Sequence, residues 1–330
     1  MSQTNTCPDI DQLRELVTED VQAADALIKS RLYCGTELIN QVGHYILSNG
    51  GKRLRPLITI LCARATGYKG QKHIDVAVIL ELVHTATLLH DDVVDASKLR
   101  RGRKTANVLF GNEASVLVGD FLYSRAFQMM VDLQNIRVLE ILADATNTIA
   151  EGEVQQLASK HNPDTTLDDY LITIQNKTAK LFEAAARLGA VISEDNCQIE
   201  HALGSFGRHI GTAFQLVDDA LDYQISNGGE LGKNMGDDLA EGKPTLPLLY
   251  AMWKGNKEQS TVIREGIERG GLDRLKPILL AIDSTGAITY TLDRAREEAR
   301  LARKALEEIP KTNYRTALES IIEFAVQRNF

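Results

Sequence analysis

Apolar residues recur every three or four positions over almost the whole of this chain, and alternation with period two is hard to find. Leu13, Leu16 and Val17, then Val21, Ala24, Leu27 and Ile28, set the pattern near the start. Such spacing gives each of a series of helices one apolar face, and those faces must be buried on one another. Ala, Leu, Glu, Lys and Arg fill the periodic stretches, while the 7 prolines fall mostly near their ends. An all-α chain is expected.

Helices are predicted over 11–32, 36–47, 54–65, 73–94, 113–133, 136–158 and 167–191, and then over 197–223, 246–253, 259–269, 273–283, 287–308 and 314–327. Thr166 followed by Asp169 reads as an N-cap with an acidic first turn. No linker rich in Pro, Gly or Ser divides these segments, and no repeat at a solenoid period is present. One large helical bundle over residues 1–330 is expected, with 44% hydrophobic residues to supply its core.

Charge narrows the partners. A net charge of -8 argues against nucleic acid, whose phosphates require a basic surface, although a local basic pocket can still take a small anion. Cys7, Cys34, Cys62 and Cys197 are far apart and form no CxxC pair, which fits reduced thiols in a cytoplasmic protein. Residues 1–12 are polar and acidic, so no signal peptide is expected, and no run reaches the ~18 uninterrupted apolar residues of a membrane span.

Against this background one stretch stands out. Leu88, Leu89, His90, Asp91, Asp92, Val93, Val94 and Asp95 place three carboxylates directly behind a mostly apolar run. On one helix Asp91 and Asp95, at i and i+4, share a face and repel by about 0.2–0.5 kcal/mol. A donor set made only of oxygen suits hard Mg²⁺, which takes one or two carboxylates and completes its shell with water and phosphate oxygens. Alone, such a cluster is more often a solvated helix end.

A second one exists. Phe214, Gln215, Leu216, Val217, Asp218, Asp219, Ala220, Leu221 and Asp222 repeat the D-D-x-x-D spacing, again behind an apolar helical run. Two such helix ends facing each other can clamp several Mg²⁺ ions.

Cations lie close to both. Gly51, Lys52, Arg53, Leu54, Arg55 and Pro56 put three charges and a tight approach at a helix start, where free N–H groups also favour an anion. Lys98, Arg100, Arg101, Arg103 and Lys104 surround Gly102 just after Asp95. The Gly-rich stretch 228–242 carries Lys233 and the acidic pair Asp237 and Asp238, and Lys243 follows it. Lys177 and Thr178 fall within a predicted helix between the clusters and offer a charge and a hydroxyl. Glu81 and His84 form an E-x-x-H pair, which raises a di-iron bundle, but that site needs a second copy and none is convincing.

With both aspartate motifs, the G-K-x-x-R-P segment and the R-R-G at 100–102, the chain resembles the trans-polyprenyl diphosphate synthases over nearly its whole length, and within them the bacterial octaprenyl members. The resemblance implies an isoprenoid-synthase bundle with a central apolar cavity, acting as a homodimer. It implies a Mg²⁺-dependent prenyltransferase that adds isopentenyl diphosphate repeatedly to an allylic diphosphate, farnesyl diphosphate for instance, to make a quinone side chain.

Carried over by position, it makes the six aspartates catalytic, with Asp91, Asp95 and Asp218 as metal ligands, joined by Asp92 and Asp222. Arg100, Lys177, Thr178, Gln215, Lys233 and Lys243 would bind the allylic diphosphate, and Gly51, Lys52, Arg55, His84 and Arg101 isopentenyl diphosphate. In the family an aromatic residue just before the first motif stops chain growth, whereas Ala86 and Thr87 here leave room for a long product. Phe127, Met129 or Met130 would form the floor. A terpene cyclase would need no isopentenyl site, and a non-catalytic partner subunit would tend to lose one acidic motif.

Overall fold

In the computed structural model, which describes residues 10–48, 51–193, 196–224 and 235–327, the periodic segments are helices at nearly the expected bounds. The first half runs α1 (Ile10–Glu15), α2 (Thr18–Leu32), α3 (Glu37–Ser48), α4 (Leu54–Ala65), α5 (Lys72–Val94), α6 (Ala106–Phe110), α7 (Asn112–Asp132) and α8 (Ile136–Ser159). The second runs α9 (Leu167–Ile174), α10 (Lys180–Val191), α11 (Cys197–Leu221), α12 (Asp237–Ala240), α13 (Leu246–Lys254), α14 (Lys257–Arg269), α15 (Leu275–Thr285), α16 (Ala287–Ala305) and α17 (Asn313–Gln327).

Capping explains several starts. Thr166 and Asp169 form the reciprocal capping box that their spacing predicts, and Asn135 and Asn196 each accept two backbone N–H groups at the heads of α8 and α11. Three departures from the predicted elements have local causes. The 11–32 segment breaks at Leu16 and Val17, where the Thr18 hydroxyl donates to the Glu15 carbonyl at 2.9 Å and competes with helix continuation. The 167–191 segment is interrupted by a π-turn, Gln175–Ala179, between α9 and α10. After Asp95 a small hairpin forms, β1 (Leu99–Arg100) with β2 (Arg103–Lys104), because Arg101 at φ 54° and Gly102 at φ 72° make the two-residue turn that matches strand twist.

The core has two apolar clusters. The larger draws on α2, α4, α5, α7, α8, α10 and α17, the smaller on α9 and α13 to α16, and α11 supplies both, with Leu203, Phe206 and Ile210 to one and Ala213, Leu216 and Val217 to the other. α10 packs against α4, α5 and α11, so α5 and α11 share it as a neighbour. By length and composition α5 alone among the described helices is apolar enough to cross a membrane, but 72% of that stretch is buried. A helix apolar on every face is what a bundle centre requires.

Candidate active site

The first aspartate cluster sits where α5 stops. The Asp95 N–H closes the last turn on the Asp91 carbonyl at 2.8 Å, and Ala96 leaves the helix at φ 49°. The three carboxylates then part company. Asp92 is buried, and its Oδ1 accepts two bonds from Arg100 of the hairpin, at 2.8 and 3.0 Å. Asp95 takes Lys160 at 2.8 Å on Oδ1 and Lys243 at 3.1 Å on Oδ2. Burial raises its pKa, but Lys243 and the hydrogen-bonded Lys160 outweigh burial and leave it lowered to about 2. Asp91 goes the other way: burial raises it, Lys177 opposes, and the charge of Asp95 one turn on raises it further. This is the cost of stacked like charges that a bound cation relieves.

The second cluster ends α11, and here too the middle aspartate turns inward. Asp219 accepts from the Tyr170 hydroxyl at 2.6 Å and from Gln215 Nε2 at 2.7 Å, while the Thr178 hydroxyl donates to Gln215 Oε1 at 2.9 Å. Burial first, then the charge of Asp238, pushes Asp219 up to about 7. Asp219 therefore orients Gln215 and Thr178 instead of facing the opening. Asp222 is buried as well, and its Oδ2 accepts the Asp238 N–H at 3.2 Å, which ties α11 to the start of α12. Asp218 stays half-buried, and its charge acts on Arg55.

Lys177 and Thr178 reach this region because of the π-turn, a feature often found at functional sites. Gly152 of α8 makes room for it: a Cβ there would stand 2.8 Å from the Lys177 backbone nitrogen. Lys177 Nζ then donates to Glu153 at 2.6 Å and Gln156 at 2.8 Å. Lys243 belongs to the turn after α12, where its N–H donates to the Asp238 carbonyl at 2.8 Å and its Nζ meets Glu241 at 2.6 Å. Lys233 lies outside the described residues.

A separate cationic face forms from α4, α5 and the hairpin. Arg55 Nη1 lies 3.1 Å from His84 Nε2, and its guanidinium stacks 4.3 Å from the Phe182 ring centroid. Burial pushes Arg55 down to about 10, against the charges of Glu81 and Asp218. Burial, followed by Arg55, Arg100 and Arg101, holds His84 well below its usual range, so the ring is neutral and its Nε2 accepts from Arg55. A Cβ on Gly51 would meet Arg101 Nη1 at 2.6 Å, so glycine leaves the guanidinium room to lie against this backbone. Lys52 Nζ rests 4.6 Å from the centre of the Phe324 ring. Glu81 stands 4.0 Å from Arg53, so both members of the E-x-x-H pair engage guanidinium groups.

Among the residues expected to set product length, Ala86 and Met130 are fully buried and Thr87 is half-buried, its hydroxyl donating to the His84 carbonyl at 2.8 Å. Phe127, an alternative floor residue, is 38% exposed and stands against Tyr123, not inside the bundle. The partners that sequence reasoning missed, Glu153, Gln156, Lys160, Tyr170 and Glu241, carry no local pattern and meet the site only through contacts distant in the chain.

The donor set fits a hard divalent ion. Among the described residues no three His, Cys, Asp or Glu side chains gather closely enough to encage a metal, and an ion such as Mg²⁺ ordinarily takes one or two carboxylates with water or phosphate oxygens in the rest of its shell.

Residues 36–278 match the polyprenyl synthetase family. The chain is 51% identical over 321 residues to the octaprenyl diphosphate synthase of Escherichia coli (strain K12), covering 97% of this chain and 99% of that one. It is 45% identical to an all-trans-nonaprenyl-diphosphate synthase (geranyl-diphosphate specific) of Rhodobacter capsulatus, over 94% of this chain and 96% of that protein. Its fold superposes with a TM-score of 0.93, at 41% identity, on a polyprenyl synthase from Caulobacter crescentus CB15 complexed with calcium and isoprenyl diphosphate, covering 98% of this chain and 99% of the other.

Proposed function

The chain belongs to the polyprenyl synthetase family, and on that premise we propose that it is a trans-prenyltransferase condensing isopentenyl diphosphate repeatedly onto an allylic diphosphate, with octaprenyl diphosphate as product. The observation that carries this reading is the pairing of two aspartate-ended helices with two distinct cationic faces, one around Lys177 and Lys243, the other around Arg55 and Arg101. Two faces suit two diphosphates. A terpene cyclase would have no use for the second.

Asp91, Asp95 and Asp218 would hold the divalent metal, Mg²⁺ in this reading, which when bound stabilises negative charge on the departing diphosphate. Lys177, Lys243 and Arg100 add fixed positive charge at that leaving group, while Gln215, held between Thr178 and Asp219, offers it the second N–H of its amide. Ionisation of the allylic C–O bond leaves a carbocation. Arg55, Lys52 and Arg101 hold the isopentenyl diphosphate so that its double bond attacks that carbon, and the departed diphosphate takes the proton that is lost. His84, neutral at working pH, orients Arg55 and serves no acid role. The apolar helices exclude water from the cation.

In this reading the whole chain is one synthase unit, since α11 supplies both core clusters; it serves quinone side-chain synthesis, and the free Cys34, Cys62 and Cys197 suit the cytoplasm. Incubation with farnesyl diphosphate, labelled isopentenyl diphosphate and Mg²⁺ is expected to give a polyprenyl product of about eight units after dephosphorylation. A folded protein that makes no labelled polyprenol rejects the catalytic reading.

Homodimerisation is part of the same reading. Leu117 and Val131 of α7, together with Ile136, Val154 and Leu157 of α8, are each more than half exposed, and large apolar side chains left open on two long helices suit a second copy. Sedimentation should find a dimer, and Leu117→Glu combined with Val154→Glu should shift it to monomer; an unshifted dimer would move the interface elsewhere.

A further inference from the structure

Both carboxylate oxygens of Asp95 are held by ammonium groups, and the same two groups meet a second carboxylate. Lys243 lies 2.6 Å from Glu241 and Lys160 lies 3.6 Å from it. Asp95, Lys160, Glu241 and Lys243 thus close a ring of alternating charge, and Asp95 and both lysines are only 14% exposed. Lys243 already belongs to the diphosphate side of the site. Lys160 has no place in that assignment.

Its backbone is fixed independently of Asp95. Lys160 follows α8, and the next residue, His161, donates its N–H to the Gly242 carbonyl at 2.8 Å and brings Nδ1 to 3.1 Å from the Ile267 carbonyl. The turn that carries Glu241 and Lys243 is therefore bolted to the base of Lys160. A divalent ion on Asp95 Oδ1 competes with the ammonium held there at 2.8 Å, because two cations drawn to one carboxylate oxygen repel. Losing Asp95 does not strand the ammonium, since Glu241 remains beside it, and a stranded buried charge is what makes such exchanges costly.

We propose that Lys160 is a positioning residue with two alternating partners: it competes with the divalent ion for Asp95, and once displaced it adds its charge to the diphosphate face beside Lys243. This rests on Asp95 being a metal ligand in the function proposed above. Lys160 thereby couples the two occupants, holding the metal site back until a diphosphate is there to receive the lysine.

The two halves have opposite signs, which a merely structural lysine would not produce. In Lys160→Met, which keeps the apolar stem, calorimetry should find Mg²⁺ alone binding about three- to tenfold tighter. In saturating Mg²⁺ the same variant should bind inorganic pyrophosphate weaker by about the same factor. Lys160→Arg, which keeps the charge, should restore both values toward those of the unsubstituted protein, and circular dichroism melts check that each variant is folded. Unchanged or weaker Mg²⁺ binding in Lys160→Met overturns the proposal, and so does unchanged pyrophosphate binding. Neither measurement requires prenyl transfer, so failure of the product assay leaves these two results to decide the role of Lys160.

Discussion

Asp91→Asn is expected to lower the rate of polyprenyl formation by about a thousandfold, the scale of losing a charge that acts on the leaving group, without lowering the melting temperature. The two halves of that expectation have one cause. Burial and Asp95 raise the pKa of Asp91 by more than Lys177, Arg100 and Lys243 lower it, so its negative charge is a burden on the folded protein that a bound cation would offset. Asparagine keeps the shape, removes the repulsion across one helical turn, and cannot replace a carboxylate as a ligand for a hard ion. Steady-state incorporation of labelled isopentenyl diphosphate, read beside a thermal melt, checks both. Activity within about tenfold of the parent in a folded variant would remove Asp91 from the metal site.

That expectation was open to sequence reasoning because it depends on local spacing. Asp91 and Asp95 lie on one face by helix geometry alone, and the repeat of the spacing at Asp218 and Asp222 needed no structure to notice. The same holds for α4, whose bounds matched, and for α5 and α11, long segments with strong apolar periodicity. What the chain hid is whatever depends on contacts between distant residues. The inward turn of Asp92 needs the hairpin strand that carries Arg100 to fold back on α5, and that of Asp219 needs Tyr170 from another helix. The π-turn that presents Lys177 depends on a glycine of α8 more than twenty positions earlier, and helical periodicity reads straight through it. Lys160 and Glu241 carry no local pattern in the sequence, and only the fold brings Lys160 to Asp95 with Glu241 beside it.

Product length is where sequence and structure combine in a second large effect: Ala86→Phe should replace the long product with short-chain prenyl diphosphates. The Ser115 hydroxyl donates to the Leu89 carbonyl at 3.0 Å, so the start of α7 lies beside the aspartate end of α5. From there Met130 is about 22 Å further along the α7 axis at 1.5 Å per residue. A chain growing from the aspartates between α5 and α7 therefore passes Ala86 early and reaches Met130 late. On the proposed route a phenyl ring at Ala86 would block the growing chain early, while the diphosphate faces stay intact, so condensation should stop after a few additions with turnover retained. The melting temperature reads the state of the space. Ala86 is fully buried, and a ring forced into a close-packed core costs about 1–3 kcal/mol, whereas a ring entering an open channel costs little. Ala86 has no exposed surface, so short products together with a lowered melting temperature are expected. Undiminished octaprenyl formation by a folded Ala86→Phe variant would mean that the growing chain does not run along this face of α5.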